Sequence, residues 1–307
     1  MKKFILIILF IVPVSIVLKA QQLPQITQYT ENNYAINPAF AGINDYYQLK
    51  TTVRNMWVGV PGGPKTTILS IYGKKSEKIG IGGSVYNDEA AAFSRIGGNI
   101  SYAYHTKLTT DINLSLSLQA GFLQHKVIKA GLTVQQLADP LFQGGDVVRA
   151  IPDATFGTVL YAKNWHFGIS VPQLLANNLD LKDKKVIYDE DVNSEGKFNR
   201  HYYLVGAYRH ELNPFWAIEP SVLFKSTSTT SQYDIGVRGV WDDKLWLGSG
   251  YRSNGYVSAI AGYTIDDRYI IGYSVDIPGS EETNPLGMSH EFVLGIKFLG
   301  LQQKEIK

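Results

Sequence analysis

The 307-residue sequence contains no cysteine. That excludes disulfides, a thiolate nucleophile and any cysteine-ligated metal. Charge is scarce as well. Only 18% of residues are charged, and a net charge of +2 is too small to mark a nucleic-acid-binding surface. Beyond residue 20 no stretch approaches the ~18–20 continuous apolar residues that a membrane helix needs. The chain past that point is either soluble or crosses a membrane by another geometry.

The first twenty residues have a targeting pattern. Lys2 and Lys3 precede the apolar run 4–18, and Ala20 is a small residue suited to cleavage. This predicts a secretory signal peptide over 1–20.

The other geometry follows from a period of two. Ile112, Leu114, Leu116, Leu118, Ala120 and Phe122 alternate with Asn113, Ser115, Ser117, Gln119 and Gly121. The pattern returns over 269–277 and 292–298. One apolar and one polar face, over about ten residues, fits a tilted membrane strand between lipid and a polar lumen. Strands of a soluble sandwich are typically shorter, about five or six residues.

Such runs lie near 46–57, 65–73, 78–86, 94–106, 111–124, 154–162, 165–173, 200–212, 215–226, 232–241, 244–251, 255–265, 269–278 and 289–299. They predict an all-β antiparallel barrel of about 14 strands, an even number as a single-chain bacterial barrel requires. Every second connection is short, and the longest, 126–152 and 174–199, fall between them. Short periplasmic turns and longer extracellular loops sort in this way. Both termini then lie on the periplasmic side. Trp57, Trp165, Trp216, Trp241 and Trp246 fall near predicted strand ends, where interfacial girdles lie. The segment 132–137 reads as a short helix in the first long loop. The expected division is a signal peptide at 1–20, a polar plug or periplasmic cap at 21–45, the barrel at 46–299 and a periplasmic tail at 300–307.

Chemistry-bearing motifs are nearly absent. The six histidines form no HExxH or comparable close pair, and there is no GxSxG elbow. The run 80–88, GIGGSVYND, lacks GxGxxG spacing and reads as barrel-strand glycine. Asp189, Glu190 and Asp191 lack the spacing of a calcium loop. Asp234, Arg238, Arg252 and Asp276 read as an ion network in the lumen rather than a catalytic set. No cofactor or metal is expected.

One stretch fits none of these patterns. Residues 25–42, QITQYTENNYAINPAFAG, are polar and aromatic, without helical or strand period. The motif begins with Gln28, Tyr29, Asn37, Pro38, Ala39, Ala41 and Gly42. It continues through Arg54, Trp57, Gly59, Pro61, Gly62, Pro64 and Thr66. With these residues the chain resembles the PorP/SprF family of Bacteroidota outer-membrane proteins, which belong to type IX secretion and gliding-motility systems. Met56 stands where the family pattern usually has Gln. Stretches 152–157, 167–175, 201–209 and 289–295 extend the resemblance over nearly the whole mature chain.

The resemblance implies a non-catalytic outer-membrane component. Its partners would be the C-terminal sorting domains of cargo proteins, periplasmic and outer-membrane secretion subunits, and the lipid bilayer. A substrate-specific channel, porin-like or resembling fatty-acid transporters, is the alternative; a barrel enzyme would require clustered rim residues. Because 25–42 precedes the first strand, it is expected to start on the periplasmic side, as a lumen plug or as a tether to a partner. The loop 59–64 is stiff enough to fold inward. The long loops offer candidate cargo-binding residues: Leu141, Phe142, Val147, Val148, Asp189, Glu190 and Asp191.

Overall fold

The computed structural model describes residues 24–129, 145–175, 178–180, 195–197 and 200–298. Its first seven strands are β1 (Tyr47–Asn55), β2 (Lys65–Ser76), β3 (Ile79–Ala90), β4 (Phe93–Lys107), β5 (Asn113–Val127), β6 (Val147–Tyr161) and β7 (Trp165–Val171). Strand β8 runs over Tyr202–Tyr208 and resumes at His210–Glu211 after a break at Arg209; both pieces pair with β9 (Trp216–Ser226). Then follow β10 (Ser231–Trp241), β11 (Leu245–Arg252), β12 (Tyr256–Ile265), β13 (Tyr269–Pro278) and β14 (Ser289–Phe298). A separate two-stranded hairpin joins Asn178–Asp180 to Glu195–Lys197.

Neighbouring strands pair antiparallel throughout, and β1 pairs with β14 from Tyr47↔Phe298 to Asn55↔His290. The sheet is therefore a closed 14-strand ring. Closure is what lipid demands: an open edge would leave backbone N–H and C=O groups without partners. Among the described residues, no helix is long and apolar enough to cross a membrane.

Burial is inverted relative to a soluble protein. On β1 the inward residues are Gln48, Lys50, Thr52 and Arg54, all buried, while Val53 points outward and is exposed. On β5, Ser115 and Ser117 are buried and Leu116 and Leu118 are exposed. Ile271 and Leu294 likewise face outward. Polar inside and apolar outside is the pattern of a barrel in a bilayer. Trp216 and Trp241 face outward at one end, as a girdle requires. Trp246 does not. It is buried in the wall of the lumen, with Arg238 5.8 Å from its ring centre.

Connections sort by side. One end carries the turns 77–78, 108–112, 162–164, 212–215, 242–244 and 266–268. The other carries 56–64, 91–92, 128–146, 172–201, 227–230, 253–255 and 279–288. By loop length the first end is periplasmic and the second extracellular.

Two expectations need correction. Strand β6 starts at Val147, where Val147↔Val127 and Val148↔Lys126 continue the ladder, so these valines belong to a strand and not to the loop. Alternation had been masked there by Pro152 and Asp153. The loop 56–64 stays at the rim: Gly59, Pro61 and Gly62 are exposed, and it bonds to its neighbours through Val58 N to Met288 O and Ala91 N to Gly62 O. Of the two alternatives for 25–42, a lumen plug or a periplasmic cap or tether, the structure has the plug: the segment occupies the lumen. The expected helix at 132–137, Leu141, Phe142 and the acidic run 189–191 lie outside the described residues.

Candidate functional site

The functional feature of the described barrel is its filled lumen. Residues 25–42 form an arm whose side chains are almost wholly buried: Ile26, Gln28, Tyr34, Asn37, Ala39 and Ala41 are each at most 1% exposed. Two short 3₁₀ turns, Asn33–Ala35 and Pro38–Phe40, fold it compactly.

The Asn-Pro-Ala motif has a direct physical reading. Asn37 is the N-cap of the second turn, and its Oδ1 accepts from Ala39 N at 3.0 Å. Pro38 takes the first position, where its missing N–H costs nothing. The same Asn37 uses its Nδ2 to donate to Thr158 O and Ile169 O, each at 3.0 Å, on β6 and β7. One side chain thus caps the turn and fastens it to the wall. Gly157 makes room, since a Cβ there would stand 2.2 Å from Asn37 Oδ1. Ala39 O accepts from Ser115 Oγ at 2.8 Å, and Ile36 O accepts from Ser170 Oγ at 2.7 Å. At the exit Gly42 has φ +87°, and its Cβ would meet the Gly80 Cα at 2.7 Å. Ala41 O pairs with His105 Nε2 at 2.8 Å.

Apolar contacts complete the fit. Ile26, Tyr29, Ile36, Ala39 and Phe40 pack with the inward-facing Ile68, Val159, Tyr203, Val205 and Leu223. Tyr34 stacks on Tyr72 at 4.5 Å and hydrogen-bonds Ser101 at 2.8 Å. Tyr29 OH and Ser221 Oγ lie 3.0 Å apart. Burial pushes the Tyr29 phenol up to about 12, so it stays neutral.

Two buried ion networks tie the arm to the wall. In the first, Arg54 Nη2 donates to Asp276 Oδ2 at 2.5 Å and Nη1 donates to Glu291 Oε2 at 3.2 Å. Arg252 bridges Asp276 at 2.7 Å and Asp234 at 3.1 Å. Thr27 sits among them: its hydroxyl accepts from Arg54 at 2.7 Å and donates to Asp276, while its N–H donates to Glu291 at 2.8 Å. Gln28 N donates to the other Glu291 oxygen at 2.8 Å. In the second network Arg238 joins Glu31 at 2.5 Å and Glu219 at 2.6 Å, and Lys50 bonds the Glu31 backbone and faces its carboxylate. Burial pushes the Glu31 carboxyl up, but Arg238 and Lys50 outweigh it and hold it at about 2.

The motif residues therefore divide in space. Gln28, Tyr29, Asn37, Pro38, Ala39 and Gly42 are the arm; Arg54 and Thr66 are inward wall residues; Trp57, Gly59, Pro61, Gly62 and Pro64 belong to the rim loop. Thr66 Oγ1 donates to Asp88 at 2.6 Å, which also pairs with Arg95. The lumen network expected from Asp234, Arg238, Arg252 and Asp276 is split between the two clusters. Sequence reading missed Glu31, Lys50, Glu219 and Glu291. Charges at inward positions were the signal: Lys50 shares its face of β1 with Arg54, and Glu291 lies between Ser289 and Val293 on the inward face of β14. Among the described residues no cluster of His, Asp or Glu could hold a metal ion.

A closed ring, an apolar exterior and a polar interior filled by the chain's own N-terminal arm define a plugged outer-membrane β-barrel. Its fold is similar to that of the CymD monoaromatic hydrocarbon channel, at 12% identity and TM-score 0.50, covering 87% of this chain and 91% of that one. It is also similar to a Pseudomonas aeruginosa FadL homologue (10% identity, TM-score 0.48, 86% and 92% covered). The Acinetobacter baumannii outer membrane protein Omp33 is a third such structure (9%, 0.46, 82% and 98%). No curated protein matches the sequence. The chain belongs to the type IX secretion system membrane protein PorP/SprF family, whose profile matches residues 18–296.

Proposed function

We propose that this barrel supports the secretion or surface anchoring of cargo proteins carrying a C-terminal sorting domain, working with other subunits of the type IX system and catalysing no reaction. The carrying observation is family membership over nearly the whole chain. The filled lumen supports the same reading against the channel alternative. A conduit for small solutes needs an open path, whereas here buried side chains and two ion networks occupy the centre. Beside Asp234 and Arg252 the arm leaves a space of about 30 Å³, room for a water or two. With the lumen blocked, cargo is held by outer loops or rim, where apolar anchors within polar surroundings concentrate affinity.

The test is cargo partition. Cells lacking the chain should release one or more sorting-domain proteins into the medium or retain them inside, while the remaining outer-membrane proteins are unchanged. Unaltered display of every such protein would refute the proposal.

A further inference from the structure

The arm has a direction, and the direction has a consequence. Its last residues contact the periplasmic end of the wall: Ala41 meets His105 near the end of β4, and Gly42 meets Gly80 near the start of β3. Its first residues contact the opposite end. Thr27 and Gln28 bond Glu291, two residues into β14, and Thr27 bonds Arg252, the last residue of β11. With its amide turned to suit its neighbours, Gln25 accepts from Arg252 Nε at 2.7 Å and from Gln232 Nε2 at 2.9 Å. Gln232 is the second residue of β10, beside the extracellular turn 227–230. Gln25 also borders a space lined by Tyr203, Thr227, Thr230 and Ser231, all at that end.

We infer that the N-terminal arm is a thread through the whole barrel, and that its first described residue, Pro24, lies at the extracellular mouth, within reach of reagents outside the cell. The usual expectation for a segment preceding an ascending first strand is the reverse. Composition fits the threading: no charged side chain occurs from Gln21 to Thr30 that would have to be buried in the lumen. The first charge, Glu31, stops inside, where Arg238 and Lys50 neutralise it. An extracellular partner at the mouth then meets the start of the arm at Pro24 and Gln25 together with the loops 56–64, 227–230 and 279–288. That cargo is this partner rests on the secretion reading; the position of Pro24 does not.

Because the chain has no cysteine, single replacements report position cleanly. Pro24→Cys, in the full-length protein in the outer membrane, should react in intact cells with a membrane-impermeant maleimide. Its labelling should match Glu282→Cys in an extracellular loop, while Asp267→Cys in a periplasmic turn should react only after permeabilisation. An epitope inserted after Gln22 should bind antibody on intact cells, covering the case of a shielded cysteine. Heat-modifiable gel mobility verifies a folded barrel in each case. If Pro24→Cys and the epitope are reached only after permeabilisation, or neither gives surface signal, the inference is overturned. Neither readout involves cargo, so failure here leaves the secretion proposal standing, and the reverse.

Discussion

Replacing Arg54 with alanine removes a buried cation that ties the arm to two strands of the wall. The guanidinium is 1% exposed and serves Asp276, Glu291 and Thr27 at once. Arg252 still faces Asp276 after the change, but Glu291 loses the only cation bridged to it among the described residues. A buried carboxylate left without its partner costs about 3–5 kcal/mol. Reversible urea unfolding of the protein in detergent or vesicles, followed by tryptophan fluorescence, measures this as a fall in midpoint at constant slope. A cycle with Asp276→Ala separates the pair from the rest of the network. Coupling of about 0.5–3 kcal/mol is expected for groups in one network. If Arg54→Ala stays within about 0.5 kcal/mol of the parent, as surface changes do, the arm is not fastened by this network and its placement is wrong.

Leu118→Arg puts a charge on the lipid face near mid-height of β5 and should cost roughly 2–4 kcal/mol, whereas Thr109→Arg in a periplasmic turn should cost close to nothing; the same unfolding assay compares them. Glu31 predicts a pH dependence. Its folded carboxyl lies at about 2 against an ordinary 4.5, so its contribution to stability is full above about pH 4.5 and is lost as pH falls through 2. The stability difference between the parent and Glu31→Gln should shrink over that window, and a difference that is flat with pH would show that Glu31 is not held by Arg238 and Lys50.

The strands were legible because lipid and lumen impose a strict period of two, and the even count and loop parity follow from closure. Trp246 was misread because position near a strand end does not say which face a ring takes. The start of β6 was missed because Pro152 and Asp153 sit inside a strand that sequence alone treats as broken; Pro152 still pairs with Phe122. The arm carried no periodic signal, since its order comes from contacts more than a hundred residues away, such as Thr27 with Asp276. Its motif residues were visible, but their partners on eight or more strands were not. Its direction through the lumen is set by which charges meet, a property of the folded ring.

The filled lumen is tested most directly by single-channel conductance in planar bilayers, comparing the full mature chain with one lacking residues 25–35. The strands begin at Tyr47, so the shortened chain still closes its ring. The full chain should be electrically silent and the shortened one should conduct. Steady conductance by the full chain, equal to that of the shortened one, would contradict a barrel plugged by its own N-terminal arm.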